Sequence, residues 1–530
     1  MGSIEVSELS YKLPGGRVLF SDATFKVHSG QKAALVGANG VGKTTLLRVL
    51  AGEDRPMRGV VRIDGRSLYM PQMIGSLGGA VTVRDLLLSL SPEPIRTAAG
   101  TLRRAEEAVG LPHGASADLR YAEALQSWGD AGGYEAEVLW DMCTTAAFRQ
   151  PMDVAGDRLV RELSGGEQKR LALEALLRSD ADVLLLDEPD NFLDIPGKRW
   201  LASVLRSTDK AVLYVSHDRQ LLADTSQCVV TLEGTGAWTH PESFATYHEA
   251  RQRRLARLDS DHKRWREEHD RLVGVMREFK RRAALSDKFA SRAKAAESRL
   301  KRYEASKPPP ELPKDQNIRM KLEGGATARR ALAIRGLAVE GVFDPFEAEI
   351  WFGERVGVIG PNGSGKSHFL RIVAGEAVPH TGDAVLGSRV VGGYFAQTHD
   401  HRDLVGRRVL EVLSQHGLTR DRAMRTLRRY ELSSTWNQDF ETLSGGQQAR
   451  MQILLVELEG ATMLLLDEPT DNLDIASAEA LEDALETFEG TVLAVTHDRW
   501  FMRNFDRFLV FHADGSVTQQ LEPEPVLATT

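Results

Sequence analysis

Two sets of short, continuous apolar runs lie in the two halves of the chain, and a long alternation in steps of three and four separates them. The first set is Lys32-Ala-Ala-Leu-Val36, Val183-Leu-Leu-Leu-Asp187 and Ala211-Val-Leu-Tyr-Val215. The second is Arg355-Val-Gly-Val-Ile359, Leu464-Leu-Leu-Asp467 and Thr491-Val-Leu-Ala-Val495. Runs this short and this uniformly apolar predict parallel strands buried on both faces. Helix-like stretches, Thr45–Leu50 and Phe369–Val373, stand shortly after the first strand of each set. The pattern therefore predicts an α/β fold class with two similar units.

Between the units the chain turns charged, glycine-poor and helical. Leu255, Leu258, His262, Trp265, His269, Leu272, Met276 and Phe279 form one heptad seam, and Phe289, Ala293, Ala296, Leu300 and Tyr303 form a second after a polar break at Ser286-Asp287. Two seams joined by a short turn predict an antiparallel helical hairpin whose first helix is about 50 to 60 Å long. Lys307-Pro-Pro-Pro310 and the stretch through Gly324-Gly325 predict a connector into the second unit. The first unit also carries an extra helical stretch near 92–151, with Leu102, Ala105, Val109, Tyr121, Leu125 and Leu139 spaced for helix packing and a break at Gly110–Gly114.

A chain of 530 residues with 42% hydrophobic content is enough for two or three cores. Its net charge is −8 and its pI near 6.0, which excludes a uniformly basic nucleic-acid coat. The charge is segregated: Arg251–Ser306 holds 18 Lys and Arg against 9 Asp and Glu. Arg277, Lys280, Arg281, Arg282 and Lys288 cluster near the hairpin turn, as a polyphosphate backbone would require. Only Cys143 and Cys228 are present, which excludes a disulfide framework or a thiolate metal site and predicts a reducing compartment. No run approaches about 18 apolar residues and the amino terminus lacks a signal-peptide pattern, so a cytoplasmic protein without a membrane span is expected.

The chemistry is written twice. Gly37-Ala-Asn39-Gly40-Val-Gly42-Lys43-Thr44 and Gly360-Pro-Asn362-Gly363-Ser-Gly365-Lys366-Ser367 each stand between a strand and a helix. Such a loop turns backbone N–H groups toward phosphates, with Lys43 or Lys366 on the β/γ oxygens and Thr44 or Ser367 on Mg²⁺; Thr45 joins the first set. Asp187 and Asp467 end apolar strands as candidate Mg²⁺ ligands, and Glu188 and Glu468 follow as candidate general bases. His217 and His497 are placed to meet the γ-phosphate, and Gln72 and Gln397 to sense Mg²⁺ and water. Ser164 to Asp187 and Ser444 to Asp467 are both 23 residues, and Asp187 to His217 and Asp467 to His497 both 30. The repeat is an internal duplication.

With Leu163-Ser164-Gly165-Gly166 and Leu443-Ser444-Gly445-Gly446, these motifs resemble the ATP-binding-cassette ATPases over nearly the whole chain outside its middle. The resemblance implies that each Leu-Ser-Gly-Gly loop clamps the nucleotide of the opposite cassette. Site one would then join Lys43, Thr44, Gln72, Asp187, Glu188 and His217 to Ser444–Gly446. Site two would join Lys366, Ser367, Gln397, Asp467, Glu468 and His497 to Ser164–Gly166. Both are expected to hydrolyse ATP. Tyr11 is similar in position to the family's adenine-stacking aromatic, while the matching stretch Gly336–Glu340 has none, so the sites are expected to differ in affinity. The implied layout is cassette one at 1–242 with its helical subdomain at 92–151, the hairpin at 243–310, cassette two at 311–520 and a disordered tail at 521–530.

Fused cassettes around a charged hairpin resemble the ABC-F proteins, and Arg277-Glu-Phe-Lys280 and Ser291–Arg302 belong to the match. The resemblance implies a monomer with intramolecular cassette pairing that binds the ribosome, its rRNA and tRNA, beside the peptidyl-transferase centre, in translation rescue or in protection against antibiotics. The family's Pro-Thr-Asn-His-Leu-Asp stands here as Pro189-Asp-Asn-Phe-Leu-Asp194 and Pro469-Thr-Asp-Asn-Leu-Asp474. The hairpin turn is short, without a long extension. Two other classes stay open: the ATPase subunit of a transporter whose membrane domains lie on another chain, which has no need of the hairpin, and a DNA-maintenance ATPase, whose zinc-binding cysteines are lacking here.

Overall fold

The computed structural model describes residues 2–72, 81–109, 116–234, 236–285, 287–306, 308–309, 312–313, 316–396 and 404–522. In the first half, strands Ser67–Met70, Val183–Asp187, Ala211–Val215, Lys32–Val36 and Cys228–Glu233 lie side by side in parallel, with Gly236–His240 antiparallel at the edge. The second half repeats the order with Gly392–Phe395, Met463–Asp467, Thr491–Val495, Arg355–Ile359 and Arg507–Phe511, and Val517–Gln520 antiparallel at the edge. The uniformly apolar runs are explained by a core on each face. Ala34 and Val36 point into one cluster and Ala33 and Leu35 into the other, because side chains alternate along a strand. One face packs on helices, among them Gly165–Arg178 and Ile195–Ser207; the other packs on a three-stranded antiparallel sheet, Val18–Val27, Ser3–Lys12 and Arg58–Asp64.

The extra helical stretch of the first half is Glu93–Val109, Ser116–Asp130, Gly133–Phe148 and Met152–Ala155, and the break expected at Gly110–Gly114 lies outside the described residues. Its buried contacts are made by Ala98, Ala124, Trp128, Ala136, Trp140 and Cys143 together with the expected Ala105, while Leu102 and Leu139 pack on the core from partly buried positions and Tyr121 and Leu125 are only partly buried. Alanines let the helix axes approach, and the rings of Trp128 and Trp140, 6.2 Å apart, fill the space between them.

The middle of the chain is a hairpin of helices Tyr247–Ala283 and Ala290–Ala305, and the 37 residues of the first span about 55 Å. The seam residues are its least exposed positions, with Leu272, Ala293 and Leu300 buried. Trp265 stacks on Tyr303 at 5.7 Å between ring centres, and the Tyr303 hydroxyl donates to the Trp265 carbonyl at 3.2 Å. At its root Tyr247 stacks on Phe244 at 5.3 Å and lies tilted against Trp238 at 5.8 Å, which fixes the hairpin to the first half. The returning chain is pinned to the second half by Met320 and Leu322 in its core and by Arg319 N–H donating to the Arg429 carbonyl at 2.9 Å.

Candidate functional site

Parallel pairing sets the site. Asp187 and Leu35 both pair with Val215, so the ends of three adjacent strands deliver Asp187-Glu188, His217 and the phosphate loop to one edge of the sheet. The second half does the same with Asp467-Glu468, His497 and its own loop. Each loop runs into a short helix, Lys43–Leu50 or Lys366–Val373, through a left-handed glycine, Gly42 at φ 108° and Gly365 at φ 93°. A Cβ at Gly42 would stand 3.3 Å from the Leu19 side chain, and one at Gly365 2.6 Å from Val342, so only glycine admits the turn. Lys43 Nζ donates to the Gly37 carbonyl at 2.8 Å, and Lys366 Nζ to the Pro361 carbonyl at 2.8 Å.

Around the loops stand buried polar atoms without a hydrogen bond of good geometry: both carboxylate oxygens of Asp187, one of Asp467, both ring nitrogens of His217, Nδ1 of His497 and the Ser364 hydroxyl. Buried groups of this kind call for a polar ligand, and a nucleotide phosphate chain with its counter-ion is the chemistry that fits them. Burial raises the Asp187 carboxyl, against the Thr44 hydroxyl and the Lys169 and Lys43 ammoniums. Burial pushes Asp467 up to about 6, opposed by the Ser367 hydroxyl and Lys366. Glu188 is pushed up to about 7 by burial and then by Asp187 beside it, and Glu468 to about 8 by burial and then by Asp471. Burial and Lys43 take His217 down to about 3, and burial, Lys366 and Lys198 take His497 well below its ordinary value, so both imidazoles are neutral.

Glu188 accepts from Gln72 Nε2 and from Asn191 Nδ2, each at 2.5 Å, and lies 3.9 Å from His217. Glu468 accepts from the His497 backbone N–H at 3.0 Å and lies 3.4 Å from its ring. Gln397 lies outside the described residues. Tyr11 sits on strand Ser3–Lys12, stacked at 5.9 Å on Phe20, whose ring in turn lies against the position of Gly42. In the second half the ring matching Phe20 is Phe343, buried in a core cluster with Phe346, Phe369 and Phe511.

The two halves face one another head to tail. Ser164–Gly166 share a cleft of about 350 Å³ with Asn362, Lys366, Ser367, Glu468 and His497. Asn362 Nδ2 donates to the Phe192 carbonyl at 3.0 Å, and reciprocally Asn39 Nδ2 donates to the Asn472 carbonyl at 2.9 Å and Asn39 N–H to Asp474 at 2.9 Å. A Cβ at Gly446 would run into the Asn39 side chain, and one at Gly166 would stand 2.8 Å from the Phe192 carbonyl. Ser164 and Ser444 cap the helices behind them, accepting from Glu167 N–H at 3.2 Å and from Gln447 N–H at 3.4 Å, so each helix N-terminus points toward the facing loop. Outside the clefts, Arg219 Nη1 reaches Glu482 at 2.9 Å, and Arg499 reaches Asp224 at 3.4 Å. Phe192, Asn472, Asp474 and these arginines were not singled out from sequence as contacts between the halves.

The basic candidates of the hairpin, Arg277, Lys280, Arg281, Arg282 and Lys288, are all exposed. Three of them have acidic neighbours: Lys280 pairs with Glu297 at 3.2 Å, and Arg281 and Arg282 with Glu278 at 2.9 and 2.7 Å. No helix among the described residues is long and apolar enough to cross a membrane.

Comparison with known proteins agrees with this geometry. The ABC transporter family model matches residues 20–191 and 343–471. An antibiotic resistance protein of Mycobacteroides abscessus is 48% identical over 99% of this chain and 100% of its own length. The tylosin resistance ATP-binding protein TlrC of Streptomyces fradiae is 32% identical over 92% of this chain and 93% of its own. The energy-dependent translational throttle protein EttA of Mycobacterium tuberculosis is 30% identical over 95% and 90%. Among solved structures, an archaeal ribosome recycling factor, aABCE1, superposes with a TM-score of 0.58 at 20% identity, covering 98% of this chain and 90% of that one, a likeness of fold. Two cassettes closed on each other across a helical hairpin, in a chain with these relatives, make this an ATP hydrolase that belongs to the ABC-F subfamily of the ATP-binding-cassette family.

Proposed function

We propose that this chain is a cytoplasmic ribosome-binding ATPase that uses ATP-driven closure to present its hairpin to rRNA and to the tRNA of the peptidyl site. The reading rests above all on one observation: the basic hairpin is rooted in cassette one through Tyr247 and returns to cassette two through a connector fastened by Gln316, whose Nε2 donates to Asp474 at 2.9 Å. Asp474 also accepts from the phosphate-loop residue Asn39. A change in how the cassettes meet is therefore passed to the hairpin. Exposed Arg277, Lys280, Arg281, Arg282 and Lys288 suit a phosphate backbone, which rewards charge without reading bases. Of the two outcomes such binding can have, protection against a ribosome-targeting antibiotic is favoured over general rescue of translation by the 48% identity, over essentially full length, to a protein named for antibiotic resistance.

At each site the phosphate-loop N–H groups and Lys43 or Lys366 bind the phosphates, and the opposing Ser444–Gly446 or Ser164–Gly166 segment closes over the γ-phosphate. Thr44 with Asp187 and Gln72, and Ser367 with Asp467 and Gln397, would hold Mg²⁺, which when bound offsets charge on the β and γ oxygens. Glu188 and Glu468 orient and deprotonate the attacking water, a task suited by affinities near neutral pH. Neutral His217 and His497 donate a ring N–H to the γ-phosphate. Closure follows from the extra contacts that a bound nucleotide makes only in the closed state.

The test is sedimentation of the Glu188→Gln/Glu468→Gln protein with ribosomes in ATP. Nucleotide-dependent cosedimentation that weakens when Arg277, Lys280, Arg281 and Arg282 become alanine is expected. A double variant that stays free of ribosomes in ATP overturns the proposal.

A further inference from the structure

The reciprocal contacts between the cassettes are nearly symmetric, and one buried lysine breaks the symmetry. Lys198 lies on helix Ile195–Ser207 of cassette one, with its side chain 9% exposed. Its Nζ is 3.2 Å from Asp218 of its own cassette and donates to the His497 carbonyl of the other at 3.4 Å. It lines the cleft of site two with Ser164, Lys366, Glu468 and Asp471. Burial alone would lower its ammonium, but Asp218, Asp190, Asp471 and Asp498 outweigh that and hold it charged.

The duplication shows what this lysine answers. Where cassette one has Asn191, cassette two has Asp471, and where cassette one has Lys198, cassette two has Ala478. Asn191 donates to Glu188 at 2.5 Å. An aspartate at the same position has no hydrogen to donate while ionised and places a second negative charge beside Glu468. Asp471 of cassette two and Lys198 of cassette one line the same cleft, and Asp471 adds, after Asp218 and Asp190, to the charge that holds the ammonium protonated. The ion pair of Lys198 is with Asp218 of its own cassette, and the share of its charge balance that Asp471 contributes exists only when the cassettes meet. Arg219 with Glu482 and Arg499 with Asp224, by contrast, tie the cassettes together in both directions and favour neither site.

We infer that Lys198 is a positioning residue for site two, acting from the opposite cassette: it offsets Asp471 and fixes the His497 backbone, so that site two becomes complete only on closure. Site one has no lysine from the opposite cassette, since position 478 is alanine, and Lys198 meets Glu188, Asn191 and His217 only in lining a smaller cavity. The inference rests on the paired sites proposed above, and it makes hydrolysis at site two more dependent on closure than hydrolysis at site one.

The experiment reads each site separately, with Glu188→Gln leaving site two to turn over and Glu468→Gln leaving site one. In the first background Lys198→Met is expected to lower kcat at least about tenfold with little change in KM, since removing one partner of a buried pair strands the other charge. Adding Asp471→Asn should recover part of the loss, with Asp218 and Asp190 still unpaired, Lys198→Arg should keep most of the activity, and in the second background Lys198→Met should cost much less. Equal loss at both sites, no recovery on adding Asp471→Asn, or no loss at all would each overturn the inference. ATP-dependent closure, followed by energy transfer between dyes on the two cassettes, separates the two readings. A parent protein that does not close in ATP sinks the paired sites themselves, whereas a parent that closes while the kinetic pattern fails sinks only the role of Lys198.

Discussion

Cassettes one and two share a sheet order and a motif register, yet the segments that meet at their interface place their charges differently. After the strand aspartate, cassette one reads Asp190-Asn191-Phe192 and cassette two Thr470-Asp471-Asn472. The helix N-terminus facing site two begins Ser164-Gly-Gly-Glu167, and the one facing site one begins Ser444-Gly-Gly-Gln447. Site two thus gathers Glu167 and Asp471 where site one has Gln447 and Asn191, and Lys198, which lines a small cavity with Glu188 and His217 as well as the cleft of site two, reaches the His497 carbonyl of site two. Duplication preserves the backbone that builds a phosphate site, while side chains at the contact diverge in complementary pairs. A charge buried at the contact is tolerable only if counter-charges stand near it, as Asp218 and Asp190 of the same cassette and Asp471 of the other do for Lys198.

The comparison is broken most severely by a methyl group. Gly446→Ala places a Cβ against both the Asn39 side chain and the Asn472 carbonyl, so ATP-dependent closure at site one should weaken by up to about 100-fold, as for overpacking of 1–3 kcal/mol. Gly166→Ala meets the Phe192 carbonyl but leaves Asn362 Nδ2 at 3.5 Å, so its effect on site two should be smaller. Nucleotide-trapping assays on the two variants check the order, and equal losses would show that the interface is tight to the same degree at both sites. Next comes Tyr11, expected from its position to stack on the base. Tyr11→Ala should raise the Kd for ATP at site one by roughly tenfold, within the range of about 1–3 kcal/mol for an aromatic stacked on a base, and leave site two unchanged. Titration with a fluorescent ATP analogue resolves the two affinities; an unchanged high-affinity phase would return Tyr11 to a packing role with Phe20. The smallest effect is conformational. Phe192 and Asn472 occupy matching positions at φ 66° and 65°, a region asparagine tolerates better than phenylalanine. Phe192→Asn should therefore stabilise cassette one by about 1 kcal/mol in urea unfolding, and a loss would mean that packing of the Phe192 ring on Gly165 outweighs the strain.

Much of this molecule was readable because its signals are local. Val183–Asp187 reads as a buried strand since both of its faces are covered, and the seam through Leu272, Ala293 and Leu300 reads as a hairpin because helical periodicity marks the hidden side. The extra helices were readable as helices but not in their contacts, where Ala124 and Ala136 lie deeper than Leu125 and Leu139. Hydropathy ranks side chains one by one, whereas the helix packing sets small residues such as Ala124 beside the large rings of Trp128 and Trp140.

The amino-acid sequence by itself determined two phosphate loops, two strand-end carboxylate pairs, two signature loops in register and a basic hairpin between them, because each is a short motif whose chemistry is carried by adjacent residues. Only the tertiary structure decided that Lys198 lines one cleft with Asp471, that Asn39 and Gln316 meet on Asp474, and that Phe192 lends its carbonyl to Asn362. Each of those contacts joins residues far apart in the chain, and polar groups of this kind look like solvated surface until two cassettes dock and remove the water between them.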